Sequence, residues 1–151
     1  MAEKYQDCVT KVSDLIFNTI LEKEENLTAQ FFLLDGTVLS ILREIGLKVM
    51  SLLLSLIVSQ VTVEAQKKGF VVQRRPQINY TVIFGKIKLE SPYLWNRQLK
   101  TGIRPLKEKF GLKTGDCSLA VGQALTEFGS EESFDQAARR FQEHYQWTID
   151  N

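Results

Sequence analysis

Cysteine, histidine and long apolar runs are all scarce in this chain, and each scarcity excludes a class of structure. The two cysteines, Cys8 and Cys117, lie far apart and neither belongs to a CxxC pair, which excludes a disulfide framework and a zinc spacing. The single histidine, His144, has no plausible Cys or Ser partner, so a surface or helix-end role is favoured over catalysis. The most apolar run, residues 49–58, has about half the length that a bilayer span needs.

The sequence contains no recognisable catalytic or metal-binding pattern. Nuclease chemistry needs two or three carboxylates around divalent ions, and the middle of the chain offers only Glu90 and Glu108. No Gly-rich phosphate loop is present. We therefore expect no catalytic residues, no metal, no cofactor and no membrane span. The polar N-terminus is not predicted to be a signal peptide, so a cytoplasmic protein is expected.

Charge is distributed in three blocks along the 151 residues. Residues 67–113 carry twelve Lys and Arg against two Glu, a net charge of +10, between acidic flanks of −4 and −5. Clustered cations suit a polyanion such as DNA, whereas the alternative is a solvated, lysine-rich hairpin edge. The candidate DNA-binding residues are Arg74, Arg75, Lys86, Lys88, Arg97, Lys100, Arg104, Lys107 and Lys109.

The pattern predicts an α+β fold in three segments. Residues 1–69 read as two amphipathic helices forming an antiparallel helical hairpin, because apolar residues recur at helical spacing and Gly69 ends the run. The apolar stripe at residues 52–61 is wider than one partner helix covers. It is either a surface for a second copy of the chain or a face that packs onto the rest of this one.

Residues 70–113 read as a β-hairpin followed by a basic loop. Period-two alternation predicts strands around Tyr80 and Leu89 with a turn at Gly85 and Lys86, then a loop over residues 96–104 and a short turn from Pro105 to Gly111. Tyr93 and Trp95 either help the cations hold a nucleic acid or cover the apolar side of the hairpin.

Residues 114–151 read as an incomplete helix-turn-helix. Asp116 or Ser118 is predicted to cap a helix with Leu119 on its buried face, ended by Gly129 and Ser130. Ser133 is predicted to cap a second helix. Asp150 is a suitable cap for a third helix, the one that reads DNA in this motif, and the sequence ends there.

Two stretches, RRPQINYTVIFGKIKLESPYLW at residues 74–95 and SFDQAARRFQEHYQWTID at residues 133–150, carry a family resemblance. Over about half its length the chain resembles the N-terminal region of bacterial insertion-sequence transposases of the ISKra group, cyanobacterial members in particular. The resemblance implies DNA transposition by a DDE-type nuclease whose catalytic carboxylates lie in a later domain. The chain is thus expected to be a DNA-binding, non-catalytic transposase fragment that contacts phosphates with little sequence preference.

One departure from the family concerns metal. Many relatives carry cysteine pairs after the hairpin, in the manner of a zinc ribbon, but residues 96–102 read NRQLKTG here. No metal site is therefore expected in this loop. The expected partners are DNA and, through the helical arm, a second copy of the chain. The alternative is a protein-interaction module whose basic surface meets an acidic protein.

Overall fold

The computed structural model describes residues 2–23, 27–29, 31–131, 133–145 and 147–148. Its α+β class agrees with the prediction. The elements in chain order are α1 (Ala2–Lys23), a 3₁₀ turn (Phe31–Leu33), α2 (Leu34–Lys67), β1 (Val71–Arg74), β2 (Gln77–Val82), β3 (Gly85–Glu90), β4 (Tyr93–Asn96), β5 (Thr101–Ile103), α3 (Pro105–Phe110), α4 (Leu119–Glu131) and α5 (Phe134–Tyr145). None of the helices in this described part is long and apolar enough to cross a membrane.

The chain divides into two compact units, Met1–Ile45 and Gly46–Asn151, and the division falls within α2. In the first unit, the C-terminal half of α1 and the N-terminal turns of α2 line an apolar cavity of about 270 Å³. Ile16 and Ile20 face Ile41 and Ile45 across it, as the predicted helical hairpin requires. The division into segments 1–69, 70–113 and 114–151 stays a prediction.

Strands β2 and β3 form a two-stranded antiparallel sheet in the second unit. Ile87 and Leu89 are buried while Lys86 and Lys88 are exposed, which confirms the predicted alternation. The predicted turn at Gly85 and Lys86 is wrong by two residues. Val82 pairs with Gly85, so the turn residues are Ile83 and Phe84, and Gly85 opens β3 with a φ of 139° that suits a residue without Cβ.

Strands β1, β4 and β5 form a second antiparallel sheet with β4 in the centre. The predicted basic loop at residues 96–104 is therefore corrected: Thr101–Ile103 pairs with β4, and only residues 97–100 form a turn. A three-residue strand containing Gly102 has no alternation for a sequence pattern to detect. The predicted short turn from Pro105 is the helix α3, which ends at Gly111 in the left-handed conformation.

The C-terminal half of α2 carries the main core of the second unit. Val58 and Val61 pack with Leu89 of β3 and Leu106 of α3, and all four are buried. Leu94 of β4 is also fully buried. Burial of large aliphatic side chains of this kind stabilises a fold by about 1.5–3 kcal/mol each. The core therefore joins α2, β3 and α3, and the two sheets lie around it.

The helices α4 and α5 pack through a second cluster in which Val121, Ala124 and Phe141 are buried. Trp147 joins this cluster and donates a 3.0 Å hydrogen bond from Nε1 to the carbonyl of Ile83, so the helix pair is attached to the β2–β3 turn. Before α4, residues 114–118 run along the edge of β2, and Ser118 donates its backbone N–H to the carbonyl of Thr81.

The predicted caps of this helix pair are largely correct, and its predicted ends are not. The Ser118 hydroxyl accepts a bond from the N–H of Val121, and the side chain of Gln136 accepts bonds from Ser133. Gly129 and Ser130 do not stop α4, which continues to Glu131, and Leu119 is 78% exposed rather than buried. The predicted cap at Asp150 lies outside the described residues.

Candidate nucleic-acid interface

The outward face of the three-stranded sheet combines half-buried aromatic rings with exposed cations. Side chains alternate along β4, so fully buried Leu94 points to the core while Tyr93 and Trp95 share the opposite face and are only partly buried. Val71, which pairs with Trp95 across β1, is 60% exposed on that same face. On this strand it is Leu94 that packs into the core. Tyr93 and Trp95 lie on the other face of the sheet.

Tyr93 lies between its two neighbouring strands. The Arg74 guanidinium of β1 is 5.2 Å from the centre of the Tyr93 ring, a cation–π distance. On the other side the phenol covers Gly102 of β5, where any Cβ would collide with it. A glycine is therefore needed at this point of β5. The ring is fixed by the strand on each side, which suits a rigid contact surface.

Arg104 follows β5 and continues its alternation. The backbone of Arg104 is extended, with φ −119° and ψ 98°, and the preceding Ile103 pairs with Leu94. One more step of the same register places Arg104 opposite Tyr93, on the side of the sheet that carries Gly102. Arg74 and Arg104 thus flank the start of β4 from both neighbouring strands, and both are exposed.

The turn at the other end of β4 carries Arg97 and Lys100. Asn96, which is buried, holds this turn: its Oδ1 accepts bonds from the N–H groups of Gln98 and Leu99 at 2.9 and 3.0 Å, and its Nδ2 donates to the carbonyl of Lys68. The turn is thereby attached to the end of α2. Arg97 and Lys100 are exposed there, and among the residues the structure describes neither has a carboxylate within ion-pair distance.

A second group of predicted residues lies on the two-stranded sheet. Lys86 and Lys88 project from the outward face of β3, opposite Thr81 and Asn79 of β2. Arg75, just after β1, is engaged elsewhere, since its guanidinium contacts Glu90 Oε2 at 3.0 Å. Both partners of that pair are about half exposed, so the pair is solvent-screened. Lys86 and Lys88 are the predicted cations that the β2–β3 sheet presents on one face.

A third group surrounds Glu64 near the end of α2. Lys109 of α3 contacts Glu64 Oε2 at 2.9 Å. The hydrogen bond from Lys109 and its charge, with smaller contributions from Lys68 and Lys67, hold the pKa of Glu64 below its ordinary value. Lys109 is thus the direct partner of Glu64, and the charges of Lys67 and Lys68 act on the carboxylate more weakly. Lys107, also on α3, is exposed.

The structure thus places the nine predicted residues on three parts of the second unit: the β1–β4–β5 sheet with its turn, the β2–β3 sheet with Arg75, and α3 beside Glu64. Sequence reasoning missed Lys67 and Lys68 as site residues, because lysines in the last turn of a helix are expected from the helix dipole alone. It also missed Asn96, the residue that positions the turn. The signal for Asn96 was its place at the start of the NRQLK stretch, since Asn side chains often bond the backbone two residues ahead.

The cysteines and the histidine are not members of these groups. Cys8 and Cys117 are exposed free thiols. His144 is exposed in the last turn of α5 and stacks against Phe128 with ring centres 5.5 Å apart. Within the described ranges, no three His, Cys, Asp or Glu side chains come together as a metal-ligand set would.

Comparison of the chain with protein-family models, with curated proteins and with solved structures finds no match.

Proposed function

We propose that this chain binds DNA through the outward face of the β1–β4–β5 sheet, as the DNA-binding N-terminal part of an insertion-sequence transposase. The observation that carries the proposal is the arrangement along β4: two half-exposed rings, Tyr93 and Trp95, with exposed cations at both ends of the strand. On surfaces that bind nucleic acids, cations contact the phosphates and aromatic rings stack on the bases.

The dimensions of this face suit a short length of nucleic-acid backbone. At about 3.3 Å per residue, the four residues of β4 separate the Arg74 and Arg104 end from the Arg97 and Lys100 turn by roughly 13 Å. A DNA strand rises about 3.4 Å per nucleotide, so the two cationic ends span roughly four nucleotides. The cations would contact phosphates at each end while Tyr93 and Trp95 contact sugars or unpaired bases between them.

The recognition expected from this surface is of backbone rather than of sequence. Ammonium and guanidinium groups that reach phosphates carry no base information, and no helix is needed for such contacts. Lys86, Lys88, Lys107 and the lysines around Glu64 would extend the positive field and speed association rather than add specific contacts.

The resemblance to ISKra-group transposases supplies the biological setting of this proposal. In it, the chain handles DNA during transposition and leaves strand cleavage to a DDE-type catalytic domain. We place this activity in the cytoplasm, where exposed thiols such as Cys8 and Cys117 stay reduced.

The test is a binding titration with fluorescently labelled element-end DNA, read by anisotropy. The variant replaces Arg97, Lys100 and Arg104 together by alanine. Three lost phosphate contacts should weaken binding on the order of 500-fold at about 0.1 M salt. The matched control replaces Lys11, Lys23 and Lys48 by alanine, which removes the same net charge from positions on α1 and α2 that are not part of the sheet, and should bind within about threefold of the unmodified chain.

Equal losses in the two triple variants would contradict the proposal, because the effect would then come from net charge and not from the sheet face. A polyglutamate competitor addresses the protein-interaction alternative. Binding of labelled polyglutamate as tight as that of DNA would show that any polyanion, an acidic protein surface included, satisfies this region. DNA binding that resists polyglutamate supports the assignment to nucleic acid.

A further inference from the structure

The C-terminal half of α2 has a second apolar face that nothing in the described part of the second unit covers. Six large aliphatic residues on it are between 37% and 61% exposed. They are Val49, Leu52, Leu53, Leu56, Ile57 and Val63. An amphipathic surface helix normally leaves polar residues on the side away from its core, so this helix has the composition of one buried on both sides.

The two apolar faces lie on opposite sides of the helix. At about 100° per residue, Val58, Val61 and Ala65 point one way into the core, and Leu56 points roughly 180° away from their mean direction. The first face is occupied by Leu89 and Leu106. The second is free to take a partner without disturbing the first.

The spacing on the second face is that of a helix pair. Val49, Leu56 and Val63 recur every seven residues, Leu52 and Leu53 fill the position between the first two, and the exposed polar residues Ser59 and Gln60 occupy the matching position between the second two. A seven-residue apolar repeat keeps a straight seam facing one partner helix over its whole length. Over residues 49–63 this seam runs for roughly 21 Å.

Charge and area favour a second copy of this chain as the partner. Residues 49–63 contain no Asp, Glu, Lys or Arg, so two copies can meet across a two-fold axis without opposing like charges. Six aliphatic side chains at about half exposure amount to roughly 500 Å² of apolar surface, at the upper end for a monomer. Two copies would bury roughly 1,000 Å², the lower bound for a specific interface.

We infer that the chain forms a two-fold dimer through this face of α2, with Leu56 at its centre. The inference does not depend on the proposed DNA binding, because the seam shares no residue with the sheet face. Leu56 lies midway between Val49 and Val63, so it meets its own copy whether the two helices run parallel or antiparallel.

The first experiment is sedimentation velocity of the full chain from about 1 to 100 µM. The unmodified chain should approach twice its 17.3 kDa mass at the upper end of that range. Leu52→Glu with Leu56→Glu should weaken the dimer by at least about 100-fold, since it places four carboxylates in the seam. Both residues are exposed in the isolated chain, so circular dichroism should show unchanged helix content.

The matched control places the same two charges on the same helix outside the seam, as Ser55→Glu with Gln66→Glu. Both side chains are exposed and lie roughly 80–100° from Leu56 around the helix, on the side opposite to Ile57. The control should dimerise like the unmodified chain. A chain that stays monomeric at every concentration, or a dimer that survives Leu52→Glu with Leu56→Glu, overturns the inference.

The second experiment locates the contact directly. In a background of Cys8→Ser and Cys117→Ser, Leu56→Cys should form an intermolecular disulfide under a mild oxidant, because its two copies face each other. Ser55→Cys should not. Equal cross-linking of the two variants would place the contact elsewhere and contradict the seam.

Discussion

Lys100 is the residue at which local backbone preference and the proposed function disagree. Its φ is 50°, and it is the only non-glycine residue of the described chain with a positive φ. An L-residue in that conformation costs about 1–2 kcal/mol relative to one with negative φ. Glycine would relieve that cost, and yet the turn carries a lysine whose charge is exposed beside Arg97.

Lys100→Gly should therefore separate stability from binding. Relief of the left-handed strain should raise the free energy of unfolding by about 1 kcal/mol. Loss of one phosphate contact should weaken DNA binding roughly eightfold at about 0.1 M salt. Chemical denaturation and anisotropy titration measure the two effects. Weaker binding accompanied by lower stability would mean that Lys100 acts through the fold instead.

Glu64 pairs with Lys109 and lowers the positive charge near Lys67 and Lys68, so it should oppose DNA binding. Glu64→Gln removes the charge that pairs Lys109 and leaves Lys67, Lys68 and Lys109 facing solvent without it. We expect roughly threefold to tenfold tighter DNA binding at about 0.1 M salt. Glu44→Gln, an exposed glutamate earlier on the same helix, should change affinity less than twofold. Weaker binding in Glu64→Gln would contradict this role.

The lowered pKa of Glu64 also predicts the direction in which the stability of the fold changes with pH. The pKa of Glu64 is lowered in the folded chain, so its pairing stabilises the fold above its ordinary value of 4.5 and is lost as pH falls through the folded value. Glu64 is exposed, so solvent screens the effect. Unfolding midpoints of the unmodified chain and Glu64→Gln should therefore converge as the pH falls below 4.5. Midpoints that diverge on acidification would contradict the sign.

At the scale of elements, two glycines of α2 give opposite predictions for the same substitution. A Cβ at Gly46 would lie 2.6 Å from the ring of Phe84, whereas a Cβ at Gly36 would meet nothing within 4 Å. Alanine gains about 1 kcal/mol over glycine inside a helix, and overpacking costs about 1–3 kcal/mol. Packing therefore outweighs propensity at Gly46 only.

Gly36→Ala should raise the free energy of unfolding by up to about 1 kcal/mol, and Gly46→Ala should lower it by about 1 kcal/mol. Denaturant melts of both variants measure this. Phe84→Leu added to Gly46→Ala should recover part of the loss, because the smaller side chain vacates the space. A Gly46→Ala variant as stable as the unmodified chain would show that the Phe84 ring moves aside freely.

Elements whose signals are local could be predicted from the sequence. The alternation of Lys86, Ile87, Lys88 and Leu89 identifies β3 because one of its faces is buried and the other exposed. Pro105 and Gly111 mark both ends of α3, which was predicted only as a short turn, since proline suits the first helical turn and glycine the left-handed residue after the last. Ser118 and Ser133 stand directly before α4 and α5, because serine is favoured at the residue that precedes a helix.

Elements whose signals depend on distant partners could not be predicted. Thr101–Ile103 is a strand only because β4 pairs with it, and Tyr93 covers the glycine that weakens it. Gly129 and Ser130 read as a helix stop, but Gly129 costs a helix only about 1 kcal/mol, and the hydroxyl of Ser130 bonds the carbonyl of Glu127 within the helix. The outward position of Tyr93 and Trp95 likewise depended on which side of β4 became buried.

At the scale of the whole molecule, the basic block of the sequence is distributed over the two sheets and α3. Glu64 and Glu90 each take a cation from the block, Lys109 and Arg75 respectively. The cations left without such a pair include Arg97, Lys100 and Arg104, at the two ends of β4. Charge counted along the sequence therefore overstates the positive charge that is open to a ligand, and the fold decides which part remains open.

The salt dependence of DNA binding tests the central claim most directly. The logarithm of the association constant should fall linearly with the logarithm of salt concentration, with a slope of about −0.9 for each phosphate contacted. Replacing Arg97, Lys100 and Arg104 by alanine should make that slope shallower by nearly three, whereas the Lys11, Lys23 and Lys48 control should leave it unchanged. The same slope in all three proteins would contradict the account, because the cations of the sheet face would then contact no phosphate.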